Sequence, residues 1–262
     1  MSKEIIKLLK DRHYQKNYIP PADNVILSIY DIHNLGSLGN YIVFSGLPKA
    51  GKSIFTNAVI ASSMTAEPNI FGLRLEKKVI EKTNLAYFDT ESNEYDFYKN
   101  LDRIKNMGNI KTLHKNFNAY NTRKDGYKLN KEMITVYVQT MRPMVVVVDG
   151  LLDLIKNYND ESESRELVDW LKWITAEYNI LLIGVIHLGK KDNHTLGHFG
   201  SMVDRYAQSV LEVVKNKEYS VYTLQPKYLR SSADFTPQSI QFNGQYYNVC
   251  TTPINDYKPN KK

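Results

Sequence analysis

Cysteine and long apolar runs are scarce in this sequence, and their scarcity excludes several classes of protein. Cys250 is the one cysteine among 262 residues, so no disulfide can form within the chain and we expect a reducing, cytoplasmic location. The longest apolar run, residues 180–186, is far shorter than the roughly 20 residues that cross a bilayer. Residues 1–10 alternate charged and apolar side chains, so we expect neither a secretory signal nor a membrane partner.

A large excess of either charge is also absent. The chain has 34 Lys and Arg against 28 Asp and Glu, a net charge of +6, which permits a nucleic-acid partner without requiring one. Apolar residues make up 42% and charged residues 24%, which is typical of a globular protein and excludes a disordered or fibrous chain. One large domain of this length buries enough surface to fold without a disulfide or a structural metal.

Apolar runs that alternate with amphipathic segments predict an α/β fold. The β-branched run at residues 144–149 is typical of a parallel strand that is covered on both faces. Strands in alternation with helices predict a mainly parallel twisted sheet flanked by helices. The other strands are predicted at 24–28, 41–45, 85–89, 117–120 and 180–186, and the helices at 4–12, 54–63, 94–104, 131–141 and 163–177.

The last quarter of the sequence changes to a pattern typical of hairpins. The dipeptide Asn243-Gly244 is a strong signal for a tight turn between two strands. Residues 251–262 are polar, and we expect them to form a flexible tail. Alternating side chains predict antiparallel edge strands at 209–214, 219–224, 239–242 and 246–249.

A glycine-rich motif follows the predicted strand at residues 41–45. Residues 46–53 match the pattern G-x-x-x-x-G-K-[ST] at every fixed position, and a predicted helix follows. In such a loop, backbone N–H groups surround the phosphates of a nucleotide, Lys52 reaches the β- and γ-phosphates, and the Ser53 hydroxyl binds Mg²⁺. The sequence therefore predicts a site for ATP and Mg²⁺, formed by Gly46, Leu47, Pro48, Lys49, Ala50, Gly51, Lys52, Ser53 and Ile54.

Acidic residues stand at the ends of two other predicted strands. Asp149 ends the strand at 144–149, where a carboxylate can hold Mg²⁺ or its water; the alternative is an aspartate that only caps the strand. Gly150 follows it, so a catalytic base must come from elsewhere in the chain. Glu91 follows the strand at 85–89 and is placed to orient or deprotonate a water in line with the γ-phosphate. A surface carboxylate without a catalytic role is the alternative for Glu91.

These motifs, with the predicted strand that ends near His187, resemble those of the RecA-like P-loop ATPases. That branch includes the recombinases and the DnaB-type and RepA-type hexameric helicases, and the likeness is greatest to the compact RepA-like, AAA_25-like group. The AAA+ branch places its glutamate directly after the aspartate, where this chain has Gly150. The resemblance spans about residues 40–243. It implies a RecA-like core at 39–250, between an N-terminal helix and linker at 1–38 and the tail at 251–262.

The resemblance implies roles for further residues. His187 would sense the γ-phosphate and relay its presence to the loop that follows; the alternative is an ordinary histidine at a strand end. That loop, residues 189–201, would face the channel of a ring. Its residues Lys190, Lys191 and His194 would contact single-stranded DNA, unless the segment is a solvated surface loop.

Ring ATPases of this kind often supply a lysine–arginine pair to the γ-phosphate of a neighbouring subunit. Lys227 and Arg230 follow the predicted strand at 219–224 and are the candidates for this pair. The helicases usually have Lys-x-Arg, whereas two residues separate the pair here. Arg205 is therefore a rival, and a plain surface arginine is the remaining alternative.

Two functions from different classes follow from these observations. The favoured hypothesis is an ATP-hydrolysing homo-oligomeric ring, expected to be a hexamer, that acts on single-stranded DNA as a helicase or as a replication or mobilisation ATPase, with replication or mobilisation proteins as partners. The second is a nucleotide-dependent switch or assembly ATPase that binds a protein partner and no DNA, which the acidic segment 157–163 and the modest net charge favour. A small-molecule kinase is disfavoured because an arginine-rich lid is not evident.

Overall fold

The structure is a computed structural model that describes residues 2–14, 16–19, 22–67, 69–189, 197–244 and 247–250. The elements in these ranges are, in chain order, α1 (Ser2–Asp11), β1 (Val25–Ile29), β2 (His33–Ser37), β3 (Tyr41–Gly46), α2 (Lys52–Ser62), β4 (Leu73–Leu75), α3 (Lys78–Lys82), β5 (Leu85–Asp89), α4 (Glu94–Met107), β6 (Phe117–Asn121), α5 (Tyr127–Met141), β7 (Val145–Asp149), a 3-10 turn (Leu151–Leu154), α6 (Glu161–Tyr178), β8 (Leu181–His187), α7 (Gly197–Tyr206), β9 (Ser209–Asn216), β10 (Val221–Leu229), β11 (Gln238–Phe242) and β12 (Tyr247–Val249).

The main sheet has the strand order β12-β11-β10-β9-β3-β8-β7-β5-β6. The six strands from β9 to β6 are parallel, and β10, β11 and β12 are antiparallel to their neighbours. The predicted fold class, a mainly parallel sheet with antiparallel C-terminal edge strands, is confirmed. Strand β9 pairs with β3 in parallel and with β10 in antiparallel fashion, so it joins the two parts of the sheet.

A hydrophobic cluster covers each face of this sheet. Val145 and Val147 of β7 face one cluster, which contains side chains of α2, α3 and α4. Val146 and Val148 face the other, which contains side chains of α5, α6 and α7. All four valines are fully buried, which explains why this strand is apolar at every position. Helices packed on both faces hold the parallel strands in place. They therefore also fix the edge of the sheet at which the carboxyl ends of these strands lie.

The N-terminal part of the chain contributes to this core. Strands β1 and β2 form a three-stranded sheet with β4, and the buried side chains of Ile26, Leu27 and Leu35 join the cluster around α2. Strand β1 lies one residue beyond its predicted position. Strand β2 escaped prediction because its sequence HNLGS contains no β-branched residue. The division of the chain at residue 38 stays a prediction; β1 and β2, which lie before it, contribute buried side chains to the core.

Helix α1 is amphipathic, as predicted, and its apolar side chains are exposed. Ile5, Ile6, Leu8 and Leu9 are each between 43% and 65% exposed. At ten residues, α1 is much shorter than a bilayer requires. Within the described ranges, no helix combines the length and the apolar character that a membrane span needs.

Two elements correct the predictions for the C-terminal half. Helix α7 begins at Gly197, inside the segment 189–201 that was predicted as a loop, because Phe199 and Val203 lie one helical turn apart and are both buried. Strand β10 continues to Leu229, so Lys227 lies within a strand and does not follow one. The proline at 226 is tolerated because β11 pairs with β10 only as far as Leu224 and the register shifts after Pro226.

Candidate active site

The predicted functional residues meet at the carboxyl ends of the parallel strands. Gly46 pairs with His187 across β3 and β8, and Asp89 pairs with Asp149 across β5 and β7. Asp149 also pairs with Val185, so the four strands end within two residues of one another at the same edge. Open α/β sheets bind ligands at this edge. A cleft of about 400 Å³ lies there, lined by Lys49, Gly51, Lys52, Ser53, Ile54, Glu91, Arg103, Asp149, His187, Tyr222 and Tyr247.

The loop between β3 and α2 has the backbone geometry of an anion cradle. Lys49 and Gly51 have positive φ angles of 64° and 94°, which turn the loop back over the start of α2. A Cβ at Gly51 would lie 2.4 Å from the Tyr222 ring, so only glycine fits there. No side chain caps the first turn of α2, although the Ile54 N–H donates to the Gly51 carbonyl oxygen at 3.0 Å. The N–H groups of Lys52 and Ser53, which precede it, can therefore donate to a phosphate. Leu47, Pro48 and Lys49 are exposed at the loop tip, whereas Ala50 is buried.

Lys52 lies folded against its own loop. Its Nζ donates to the carbonyl oxygens of Gly46 and Leu47, both at 3.0 Å, and lies 2.9 Å from Nδ1 of His187. Burial lowers the pKa of Lys52 to about 8, while the charges of Glu91 and Asp149 oppose that shift. The ammonium group is therefore still mainly charged at neutral pH and is already aimed into the cradle.

His187 connects the lysine with the carboxylate of Glu91. Nε2 of His187 lies 3.0 Å and 3.2 Å from the two carboxylate oxygens of Glu91. Because the ammonium of Lys52 can only donate, Nδ1 of His187 accepts, and Nε2 carries the proton that is donated to Glu91. This hydrogen bond lowers the pKa of Glu91 against the opposing effect of burial, so Glu91 is ionised.

Ser53 and Asp149 form the second polar pair of the cleft. The Ser53 hydroxyl donates to Oδ2 of Asp149 at 2.8 Å. Burial, followed by the nearby charge of Asp89, raises the pKa of Asp149 to about 7, and the bond from Ser53 opposes this rise. A hydroxyl and a carboxylate oxygen are ligands that suit Mg²⁺, which usually takes one or two protein ligands beside phosphates and waters. The donor set therefore fits the metal that the sequence predicts.

Several side chains of the site carry no signal in the linear motifs. Arg103, Tyr222 and Tyr247 line the cleft from α4, β10 and β12, which are distant from the loop in sequence. Thr90 and Asp153 form a hydrogen bond of 2.7 Å beside Glu91. The motif Asp89-Thr90-Glu91 could have directed attention to Thr90, but only the topology brings the three cleft-lining side chains together.

Other predicted residues lie away from the cleft. Lys227 forms an ion pair of 2.9 Å with Asp204, and both side chains are only about 15% exposed. Leu229 pairs with Ser209 at the start of β9, so the exposed Arg230 lies toward the opposite edge of the sheet, whereas Lys227 is level with the middle of β3. Neither residue lines the cleft of its own chain. The rival Arg205 is exposed on α7, and Lys190, Lys191 and His194 lie outside the described residues.

Comparison with known families identifies this arrangement. A family model described as an AAA domain, AAA_25, matches residues 30–193, which is more than half of the chain. The chain belongs to this family. The family consists of RecA-like P-loop NTPases of the RepA/DnaB-type group, so the predicted family is confirmed and the protein is an AAA-type P-loop NTPase. No curated protein shows significant similarity to the chain.

The matched region of this AAA domain contains the paired residues of the cleft. Lys52, Ser53, Glu91, Asp149 and His187 all lie within residues 30–193. The match begins earlier than the predicted likeness, in the turn between β1 and β2, and it ends before α7, about 50 residues earlier than predicted. Strands β9–β12 are therefore beyond the family match, although they continue the same sheet.

Proposed function

We propose that this AAA domain protein hydrolyses ATP with Mg²⁺ and acts on single-stranded DNA as a homo-oligomeric ring. The observation that carries the ATPase part is the continuous row from Lys52 through His187 to Glu91, beside the pair of Ser53 and Asp149. It joins a phosphate-binding cation, a polar relay and an ionised carboxylate in one cleft. Phosphoryl transfer needs these parts in one place, because catalysis depends on positioning and charge stabilisation.

Lys52 and the loop would hold the triphosphate. On binding, Lys52 exchanges its bonds to the Gly46 and Leu47 carbonyl oxygens for bonds to the β- and γ-phosphates. Ser53 and Asp149 would hold Mg²⁺, which supplies positive charge to the phosphates when bound. The charge balance supports this arrangement, since Asp149 and Glu91 already stabilise the charged form of Lys52.

Glu91 would orient or deprotonate the attacking water. It is ionised, and it lies at the far end of the row from the phosphate cradle. His187 bonds with both Lys52 and Glu91, so a γ-phosphate that takes over Lys52 also changes the partner of His187. This supports a role for His187 as the group that reports the γ-phosphate to the chain segment after β8.

The nucleoside would extend from the loop toward Arg103, Tyr222 and Tyr247. These side chains line the part of the cleft contributed by α4, β10 and β12, and the two tyrosine rings lie edge to face with centroids 5.9 Å apart. The Tyr222 ring lies directly against Gly51. An aromatic wall next to a phosphate cradle suits a base that binds by stacking.

The DNA part of the proposal rests on the family resemblance and on sequence. Basic residues Lys190 and Lys191 come three and four residues after His187, where a relay could move them. Arg230 follows β10 at the amino end of β9, and neither Arg230 nor Lys227 lines the cleft of its own chain, which favours action on the nucleotide of a neighbouring subunit. Both points favour a ring that couples hydrolysis to a ligand in its channel.

A second candidate function is a nucleotide-dependent assembly ATPase with a protein partner and no DNA. The exposed apolar face of α1 favours it, because such faces commonly bind other protein surfaces. The net charge of +6 is also small for a chain dedicated to nucleic acid.

One set of assays separates these functions. We expect the wild type to hydrolyse ATP, and the rate should fall at least about 100-fold in Lys52→Ala and in Glu91→Gln. Oligo-dT should stimulate the wild-type rate, less so at high salt. Light scattering after size exclusion, with an ATP analogue and Mg²⁺, should report the mass of a hexamer, as the proposed ring requires. A rate that does not respond to oligo-dT would reject the DNA part and favour the assembly ATPase. Absence of hydrolysis in the wild type would reject both.

A further inference from the structure

A buried tyrosine hydroxyl lies between two carboxylates beneath the cleft. Asp89 and Asp149 are opposite each other on β5 and β7, and Tyr87 is two residues before Asp89, on the same face of β5. The Tyr87 hydroxyl donates to Oδ2 of Asp89 at 3.1 Å and lies 3.5 Å from Oδ2 of Asp149. Tyr87 and Asp89 are both fully buried. Nothing in the phosphate-loop motifs assigns a task to either residue.

Asp89 fixes the backbone that carries Glu91. Its Oδ1 accepts the N–H groups of Glu91 at 3.1 Å and of Ser92 at 2.8 Å, while Oδ2 accepts the bond from Tyr87. The carboxylate therefore ties the turn after β5 to the end of the strand. The start of this turn is held from the other side as well, since the Thr90 N–H donates to the Asp149 carbonyl oxygen.

The Tyr87 hydroxyl offsets the repulsion between the two acids. Two buried carboxylates side by side repel each other, and Asp89 and Asp149 are opposite each other on neighbouring strands. The Tyr87 hydroxyl donates to Asp89 and approaches Oδ2 of Asp149 from the side of the core. The Ser53 hydroxyl, by contrast, reaches the same Oδ2 of Asp149 from the cleft.

We propose that Tyr87 and Asp89 are positioning residues of the NTPase site. Asp89 holds the backbone of Glu91 so that its carboxylate stays in line with the nucleotide, and the Tyr87 hydroxyl keeps Asp89 and Asp149 at a fixed separation. This proposal rests on the proposed ATPase function. A purely structural role for Tyr87 is the competing explanation, because its ring also stacks on Phe97 with centroids 6.3 Å apart.

Tyr87→Phe tests the hydroxyl alone, since the ring and its stacking on Phe97 remain. We expect kcat to fall about tenfold with the KM for ATP nearly unchanged. We also expect binding of ADP, measured by calorimetry, to need several-fold more Mg²⁺, while binding of ADP without Mg²⁺ stays the same. Tyr41→Phe is the matched control. Tyr41 is 2% exposed, and its hydroxyl has no hydrogen-bond partner among the described residues.

Asp89→Asn and Asp89→Ala test the backbone bonds. Asparagine keeps an oxygen for the N–H groups of Glu91 and Ser92, whereas alanine removes it. Hydrogen exchange at these two amides should stay within about twofold of wild type in Asp89→Asn and rise at least about tenfold in Asp89→Ala. The kcat should fall less in Asp89→Asn than in Asp89→Ala. If Asp89→Ala does not fold, the kcat and Mg²⁺ requirement of Tyr87→Phe and the kcat of Asp89→Asn carry the test.

The outcomes distinguish this proposal from the proposed function. An unchanged kcat and Mg²⁺ requirement in Tyr87→Phe would overturn the role of the hydroxyl. Equal losses in Tyr87→Phe and Tyr41→Phe would do the same, since they would reflect only a buried phenol. Unchanged amide exchange at Glu91 and Ser92 in Asp89→Ala would overturn the role of Asp89. Failure of the wild type to hydrolyse ATP would reject the ATPase instead, and the exchange rates would still report whether Asp89 holds the turn.

Discussion

Asp149 shows at the residue scale how the site trades stability for ligand binding. Its pKa is raised to about 7 by burial and by Asp89, so the folded chain at pH 8 holds a carboxylate that folding has removed from water. A group with a raised folded pKa contributes stability below its unfolded pKa, and that contribution is lost as the pH rises through the folded value. Between about pH 4 and 7, Asp149 therefore makes the ligand-free protein progressively less stable.

Asp149→Asn should stabilise the ligand-free protein at pH 8. The shift of about three pKa units corresponds to at most about 4 kcal/mol, and we expect roughly 1–3 kcal/mol, or a rise in Tm of about 2–8 °C. Thermal unfolding at pH 8 and pH 5 measures it, and the gain should shrink at pH 5. Asp169→Asn, at a half-exposed carboxylate, is the control. A lower Tm for Asp149→Asn at pH 8 would contradict the argument.

His187 sets the ionisation of Glu91 in the same cleft. The hydrogen bond from His187 is the largest cause of the lowered pKa of Glu91, and burial acts in the opposite direction. His187→Ala should therefore raise the pKa of Glu91 and move the acid limb of the pH profile of kcat to higher pH. The exposed His198 provides the control His198→Ala, which should leave the limb in place. An acid limb that does not move would show that Glu91 is not the titrating base.

Among the helices and strands, the sequence predicts those that a local pattern of apolar residues marks. The run of valines in β7 is apolar at every position because two hydrophobic clusters cover it, and that pattern was sufficient to place both the strand and Asp149. Strand β2 and helix α7 were missed because their stability comes from tertiary burial of Leu35 and Phe199, not from local propensity.

The residues of the candidate site also fall into two groups, those that local sequence patterns predict and those that only the fold brings to the cleft. Lys52 and Ser53 are visible in a contiguous motif, and Glu91 and His187 are visible because they follow strands whose ends meet at one edge. The aromatic wall could not be predicted. Tyr247 stands about 200 residues after the loop and reaches the cleft only through the order β12-β11-β10-β9-β3.

Strands β10 and β12 supply the aromatic wall through Tyr222 and Tyr247. A ligand without a base tests whether this wall binds the base of the nucleotide. Tyr247→Ala should weaken binding of ATP about 10- to 100-fold, because stacking of a base on an aromatic ring is lost. Binding of inorganic tripolyphosphate, which has no base, should not change. Calorimetry with both ligands measures the difference, and Tyr219→Ala, at a half-exposed tyrosine, is the control. Equal weakening for both ligands would show that the substitution damages the phosphate loop instead.

At the scale of the whole molecule, the sheet places two kinds of functional residue at opposite edges. The cleft lies at the carboxyl ends of β3, β8, β7 and β5, and Arg230 follows β10 at the amino end of β9. A head-to-tail contact between subunits can bring opposite edges together, and such contacts form a ring where the rotation from one subunit to the next closes. The geometry of one chain therefore favours action of Arg230 on a neighbour, as the ring proposal requires.

Mixing two inactive variants tests that arrangement directly. Arg230→Ala keeps its own Lys52, Asp149 and Glu91, and Glu91→Gln keeps its own Arg230. If Arg230 serves the adjacent subunit, an equal mixture regains complete sites wherever an Arg230→Ala cleft faces a Glu91→Gln neighbour, which is about a quarter of all sites in a randomly mixed ring. ATP hydrolysis by the mixture should therefore exceed that of either variant alone and approach about a quarter of the wild-type rate. Mixing Arg205→Ala with Glu91→Gln tests the rival arginine in the same way. A mixture no faster than the average of its two components would place the arginine's action within its own subunit or outside catalysis.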